Sequence, residues 1–164
     1  PAPEGQLRGR LEGEFRLNGT LEGSDLERMI QLRPSGPMTL ARSIPDFGKM
    51  MQIPWLDRFR AYKNGELVAS ILIGKGYDMV GVMHEWGATD HQTLLTLIDH
   101  VAKTLPFESL MLLVPDNLET SWKSALVAHS ESYEKHSMAL IKYLNKKQKR
   151  EDYSSLFVWG LDSI

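Results

Sequence analysis

The pattern of apolar and polar positions is most regular over residues 7–21, where leucine, phenylalanine or glycine alternates with polar residues. An alternation of period two is typical of a β-strand that buries one face. Glycine inside a strand weakens it, so the first half of this segment is equally consistent with a linker. We therefore expect residues 1–14 to be a linker or an extra N-terminal strand, and residues 15–164 to form a single domain.

Two short helices are predicted after this segment. Ser24 and Glu27 have the spacing of a capping box, and Pro34 ends the helix that they open. The apolar stripe of this helix consists of Leu26, Met29 and Ile30. The second helix is expected to begin near Ser43 and to end before Pro54.

A β-hairpin and a third strand are predicted next. The pair Asn64-Gly65 is the favoured two-residue turn between two strand-like runs within residues 58–76. Residues 78–86 are predicted to form the following strand. The clearest helix of the chain then spans residues 90–105, with a capping box formed by Thr89 and Gln92.

The last third of the chain is predicted to hold three strands and a helix. The continuous apolar run of residues 109–115 is typical of a buried central strand, and the helix after it is capped by Asp116 or Asn117. Residues 137–144 and 155–164 are the last two predicted strands, joined by a polar, charged loop. This mixture of elements predicts an α+β fold, with helices packed on a mixed sheet.

Composition narrows the function classes. The 164 residues are 42% hydrophobic and 24% charged, with a net charge of −2, which is typical of one globular domain. This charge argues against sequence-independent nucleic-acid binding, and no apolar run approaches the length of a membrane span. The absence of cysteine favours a cytoplasmic location, and the start at Pro1 suggests a domain of a longer protein.

The order of elements resembles the GCN5-related N-acetyltransferase (GNAT) fold, a mixed, mostly antiparallel sheet flanked by helices. Short phrases are similar to parts of that family's opening strand and helix, second and third strands, fifth strand, and fourth-helix end; they are residues 15–32, 61–74, 112–117 and 132–138. The resemblance implies transfer of an acyl group from acetyl-CoA or another acyl-CoA to an amine on a small molecule or a protein.

The family's pyrophosphate-binding turn, Arg/Gln-x-x-Gly-x-Gly/Ala, corresponds to "EWGATDHQ" at residues 85–92. The Arg/Gln and the glycine spacing are missing, and Asp90 adds a negative charge where the pyrophosphate would lie. The resemblance implies backbone contacts to pantetheine and pyrophosphate, and the corresponding cofactor-binding residues are Val82, Met83, Gly87, Ala88, Thr89 and Asn117.

Two side chains are candidates for acid–base chemistry under this resemblance. Glu85 would be the general base, made more basic by partial burial between His84 and Trp86; alternatively, it caps the next helix or pairs with a lysine. Tyr133 would protonate the departing thiolate, or else it is a packed ring with an exposed hydroxyl. Its position, 16 residues beyond Asn117, departs from the family's spacing.

Three functional hypotheses remain open. The first is an acyl-CoA-dependent N-acyltransferase. The second is a catalytically inactive GNAT-like domain that binds a partner protein or a small ligand, as part of a larger or tandem protein. The third is an unrelated α+β fold. A metal site is not expected, because the five histidines form neither a helical His-x-x-x-His pair nor a Cys/His cluster.

Overall fold

The computed structural model describes residues 13–34, 42–116 and 118–135. In chain order, the elements are β1 (Glu14–Leu17), α1 (Gly23–Leu32), α2 (Ile44–Met50), β2 (Asp57–Lys63), β3 (Glu66–Lys75), β4 (Asp78–Ala88), α3 (His91–Thr104), β5 (Met111–Leu112) and α4 (Thr120–His129). The predicted α+β class is confirmed by this arrangement.

The five strands form one mixed sheet in the order β1-β2-β3-β4-β5. Neighbouring strands are antiparallel except for β4 and β5, which are parallel. The predicted hairpin is confirmed, because Asn64 and Gly65 both have positive φ, of 53° and 80°, as a type I′ turn requires. A β-bulge in β4 makes His84 the extra residue between the pairs Ile73–Met83 and Leu72–Glu85.

Two hydrophobic clusters cover the two faces of the sheet. Helices α3 and α4 pack on one face, around residues such as Ile71, Trp86 and Leu97. Helices α1 and α2 pack on the other face, around residues such as Phe47 and Leu72. Side chains alternate between faces along a strand, so neighbouring residues of β4 reach different clusters.

Helix α1 crosses β4 in very close contact at Gly87. A Cβ atom at this position would lie 2.6 Å from the backbone carbon and oxygen of Leu32 and 2.8 Å from the nitrogen of Arg33. Only glycine allows this approach without a shift of the helix. Gly87 therefore has a packing role at the end of α1.

The predicted helices are confirmed, but the predicted capping boxes are wrong. Ser24 lies inside α1, whose N-cap is Glu22, with no side-chain capping bond. In α3 the cap is Asp90, and α4 has Glu119 as its N-cap instead of Asp116 or Asn117. The predicted start of α2 near Ser43 is confirmed, because Ser43 is its N-cap and Ser43 Oγ accepts a hydrogen bond from Asp46 N.

The strand predicted over residues 109–115 is shorter and less buried than expected. Only Met111 and Leu112 have strand geometry, and Met111 is 59% exposed. Residues 1–12, Asn117 and the last two predicted strands lie outside the described residues. Among the helices that are described, none has the length and apolar character needed to cross a bilayer.

Candidate functional site

The turn between β4 and α3 places a carboxylate at the first turn of a helix. Asp90 is the N-cap of α3, and it accepts hydrogen bonds from Thr93 N at 2.8 Å and from Thr93 Oγ1 at 2.7 Å. Thr89 Oγ1 donates a third hydrogen bond at 3.0 Å. Burial raises the pKa of Asp90, but these hydrogen bonds outweigh it, so the pKa lies below its usual value. The negative charge thus occupies the positive end of the helix dipole.

The backbone of the same turn is engaged in the sheet. Gly87 and Ala88 are paired with Ser70 and Ala69 of β3. The Thr89 amide continues this pairing by donating to Val68 O at 2.9 Å. Since the Thr89 amide has a protein acceptor, it is not available to a phosphate in this conformation.

The start of the β4–β5 contact is a short parallel ladder. Val82 and Met83 pair with Met111 and Leu112, and Leu113 N donates to Met83 O at 3.0 Å. The backbone of the two residues expected to contact pantetheine thus lies within strand pairing. Their predicted role in cofactor binding remains a prediction.

Beyond this ladder, Trp86 spans the space between β4 and the chain that follows β5. Its Nε1 donates to Leu113 O at 2.8 Å, and its ring stacks on Trp122 of α4 with centroids 5.9 Å apart. The indole is 1% exposed. An aromatic pair therefore fills the α3/α4 side of this region.

Glu85 lies on the opposite face of the sheet from Trp86, beneath α1 and α2. It is 2% exposed, and its Oε1 lies 2.6 Å from Arg42 Nη1 and 3.8 Å from Arg33 Nη1. Glu85 is therefore fully buried where partial burial was expected, and the ion pairs described for it are with two arginines. The Arg42 guanidinium donates a hydrogen bond to Oε1 of this carboxylate, and the Arg33 guanidinium lies within ion-pair distance of the same oxygen.

Tyr133 lies at the surface next to α4. It is 48% exposed, and its ring centroid is 5.7 Å from Lys123 Nζ. The role as a general acid and the alternative of a packed ring with an exposed hydroxyl both remain predictions. The described contacts of Tyr133 and Glu85 are with elements on different faces of the sheet, so these contacts do not bring the two candidates together. Asn117 lies outside the described residues.

Two arginines near Glu85 were not found from the sequence, and His84 was named only as a neighbour of Glu85. Arg33 and Arg42 follow α1 and precede α2, and nothing in the local pattern distinguishes them from solvated arginines. His84 is fully buried in the β4 bulge, and its Nε2 donates to Gly74 O at 2.7 Å. Burial lowers the pKa of His84, more than the Gly74 hydrogen bond raises it.

Within the described ranges, no group of three or more histidine and carboxylate side chains is placed to hold a metal ion. Comparison of the chain with protein-family models, with curated proteins and with solved structures finds no match.

Proposed function

We propose that the chain is a GNAT-like domain that acts as a binding module and does not transfer acyl groups. The element order and the sheet order β1-β2-β3-β4-β5, with a parallel last pair, support the likeness to that fold. The proposal that the chain does not transfer acyl groups rests on one observation, which is the position of the Asp90 carboxylate at the N-terminus of α3.

The position of Asp90 matters because its negative charge would repel a bound pyrophosphate. A pyrophosphate bound at the first turn of α3 would lie close to the ionised Asp90 carboxylate. Two like charges about 4 Å apart repel by roughly 4 kcal/mol at an effective dielectric constant of about 20. The amide of Thr93, which would otherwise offset this repulsion, already donates to Asp90.

The environment of Glu85 supports the same proposal. A general base needs a free lone pair within reach of the amine proton. The Glu85 side chain is instead 3% exposed and its Oε1 accepts a hydrogen bond from Arg42 at 2.6 Å, so an amine in solvent does not reach it in this conformation. We propose that this glutamate is a structural anchor for the ends of α1 and α2.

The acyltransferase remains a second candidate because of one feature of the sheet. The β4–β5 ladder stops after two residue pairs, and β4 continues to Ala88 without a further strand partner on that side in the described chain. A gap of this kind is what the family resemblance implies for the pantetheine arm of acetyl-CoA.

A titration of the ¹⁵N-labelled chain with acetyl-CoA separates the two candidates. We expect no saturable shifts of the amide signals of residues 88–93 at millimolar ligand. The variant Asp90→Ser keeps a capping hydroxyl but removes the charge, and it should gain measurable affinity if the carboxylate is the obstacle. Asp78→Ser, which removes an exposed charge elsewhere, is the matched control.

Saturable binding of acetyl-CoA to the unmodified chain, with shifts at residues 88–93, would reject the binding-module proposal in favour of the acyltransferase. If neither Asp90→Ser nor Asp78→Ser gained affinity for acetyl-CoA, the charge of Asp90 would not be the reason that acetyl-CoA fails to bind.

A further inference from the structure

An opening in the described chain lies where α1 begins and α2 ends. It is a cleft of about 420 Å³ whose apolar lining is supplied by Leu21, Leu26, Pro45 and Met51. Gly48 and Gln52 also contribute to it, and Arg58 and Lys49 are its charged residues. This volume falls within the range of small-molecule sites, which combine apolar walls with a few polar groups.

Arg58 differs from the other arginines that the structure describes. Five of these six arginines have a carboxylate oxygen within 4.0 Å, and they are Arg16, Arg28, Arg33, Arg42 and Arg60. Arg58 has no such partner among the described residues, and its side chain makes one hydrogen bond, from Nη1 to Met51 O at 2.8 Å. Its Nε is buried without a hydrogen-bond acceptor.

The Arg58 guanidinium lies beside an apolar wall, and no described carboxylate neutralises its charge. A buried N–H donor without an acceptor loses its hydration and gains nothing in return. A carboxylate would accept two parallel hydrogen bonds from such a guanidinium and neutralise its charge. The surrounding leucine, proline and methionine side chains would contact an apolar body attached to that carboxylate.

The local charges favour a single negative charge on the ligand. Lys49 is exposed and lies 3.5 Å from Asp46, so its charge is already offset. The charge of Asp46 is offset by the same contact, so this pair adds little net charge beside the cleft. Among the described residues that line the cleft, Arg58 is the cation without a carboxylate partner, and it matches one anionic group.

We propose that this cleft binds a small organic monocarboxylate with a compact apolar body, held by Arg58. The inference deepens the binding-module proposal by giving the module a ligand class. The cleft is lined by α1, α2 and the start of β2, whereas the proposed loss of acyl-CoA binding rests on residues 88–93. Separate amide signals report the two sites, so one proposal can fail without the other.

The test uses cyclohexanecarboxylate as the probe and the ¹⁵N-labelled chain as it stands. We expect saturable shifts confined to the signals of Gly48, Gln52 and Arg58, including the Arg58 Nε–H. The neutral analogue cyclohexanecarboxamide lacks the negative charge, and inorganic phosphate lacks the apolar body. Each should therefore bind at least roughly tenfold more weakly than cyclohexanecarboxylate.

Two variants test the site itself. Arg58→Gln should weaken binding of cyclohexanecarboxylate at least roughly tenfold, whereas Arg16→Gln, which removes an exposed charge elsewhere, should not change it. Gly48→Leu leaves Arg58 in place and adds bulk beside Leu26, whose Cδ1 is 3.4 Å from the position of an added Cβ. This second variant should also abolish binding, and it keeps the test valid if Arg58→Gln fails to fold.

Three results would overturn the proposal. They are an absence of saturable shifts with cyclohexanecarboxylate, equal affinity for the carboxamide or phosphate, and unchanged affinity in a folded Arg58→Gln or Gly48→Leu variant.

Discussion

The two faces of the sheet differ in the polarity of the side chains that are buried on them. The α3/α4 face is covered by a cluster of aliphatic and aromatic side chains that includes Ile71, Leu97 and Val101. The α1/α2 face has an apolar cluster too, but it also carries buried charged residues, which include Arg60 and Glu85. Arg60 pairs with Asp25 of α1 at 3.0 Å, and Glu85 pairs with Arg42 just before α2.

This difference indicates how each face of the sheet contributes to the stability of the domain. Burial of apolar area on the α3/α4 face needs no particular partner and tolerates small changes of shape. The ion pairs on the α1/α2 face are directional, and removal of one member leaves a buried charge unpaired. We therefore expect the α1/α2 face to be the more sensitive to single substitutions.

The largest effect is expected from Glu85→Gln, which leaves two buried guanidinium groups beside a neutral amide. The free energy of unfolding should fall by about 3 kcal/mol, since breaking a buried ion pair costs about 3–5 kcal/mol. On the opposite face, Ile71→Val should cost about 1 kcal/mol. Urea denaturation of both variants measures the contrast, and a smaller loss for Glu85→Gln than for Ile71→Val would refute it.

The next largest effect is expected from Gly87→Ala, where α1 touches β4. The added Cβ would lie 2.6 Å from the backbone of Leu32, so the helix must move, at a cost of roughly 1–3 kcal/mol. Gly23→Ala is the matched control, because no heavy atom lies within 4 Å of its added Cβ. Equal stability of the two variants in thermal or urea unfolding would show that the helix is not held against the strand.

How much of the fold could be predicted from the sequence depended on how far apart in the sequence the interacting residues lie. The Asn64-Gly65 turn was predicted and confirmed, because the residues that determine it are adjacent. The start of α3 was predicted to within one residue but with the wrong cap. The reason is a tertiary contact, since the Thr89 amide donates to Val68 O and β4 extends to Ala88, which leaves Asp90 as the cap.

The candidate site was less predictable for the same reason. Element order placed Glu85 near the end of the fourth strand, but its partner Arg42 is 43 residues away in the sequence. No local pattern reveals that pairing, or that Arg58 has no carboxylate partner within the part of the chain that the structure describes. The negative charge of Asp90 was visible in the sequence, whereas its capping geometry required the structure.

A pH-dependent effect is expected from His84, in the bulge of β4. Its lowered pKa means that the unfolded chain binds a proton more readily than the folded chain does. The contribution of His84 to the free energy of unfolding is fully present at pH values above the unfolded pKa of about 6.5. Below that pH, the free energy of unfolding should fall by up to about 1.4 kcal/mol per pH unit until the pH reaches the folded pKa of His84.

Urea denaturation at a series of pH values measures this slope. A folded His84→Gln variant should lose that part of the slope, and His91→Gln, at the exposed start of α3, should retain it. Identical slopes for the original chain and His84→Gln would mean that His84 takes up no proton on unfolding.

The smallest effect is expected from Asp90→Ala, which removes the cap of α3 without touching either hydrophobic cluster. Loss of an N-cap typically costs about 1 kcal/mol. Asp90→Ser keeps a capping oxygen and should lose less. If Asp90→Ala were as stable as the original chain in urea, the hydrogen bonds from Thr93 would have no stabilising role.

The most direct test of the central claim, that Asp90 prevents the β4–α3 turn from holding acyl-CoA, is unfolding with and without acetyl-CoA. The account predicts the same free energy of unfolding at zero and at millimolar acetyl-CoA. A ligand present at one hundred times its dissociation constant would add about 2.7 kcal/mol. A stabilisation that grows with the logarithm of acetyl-CoA concentration would contradict the account.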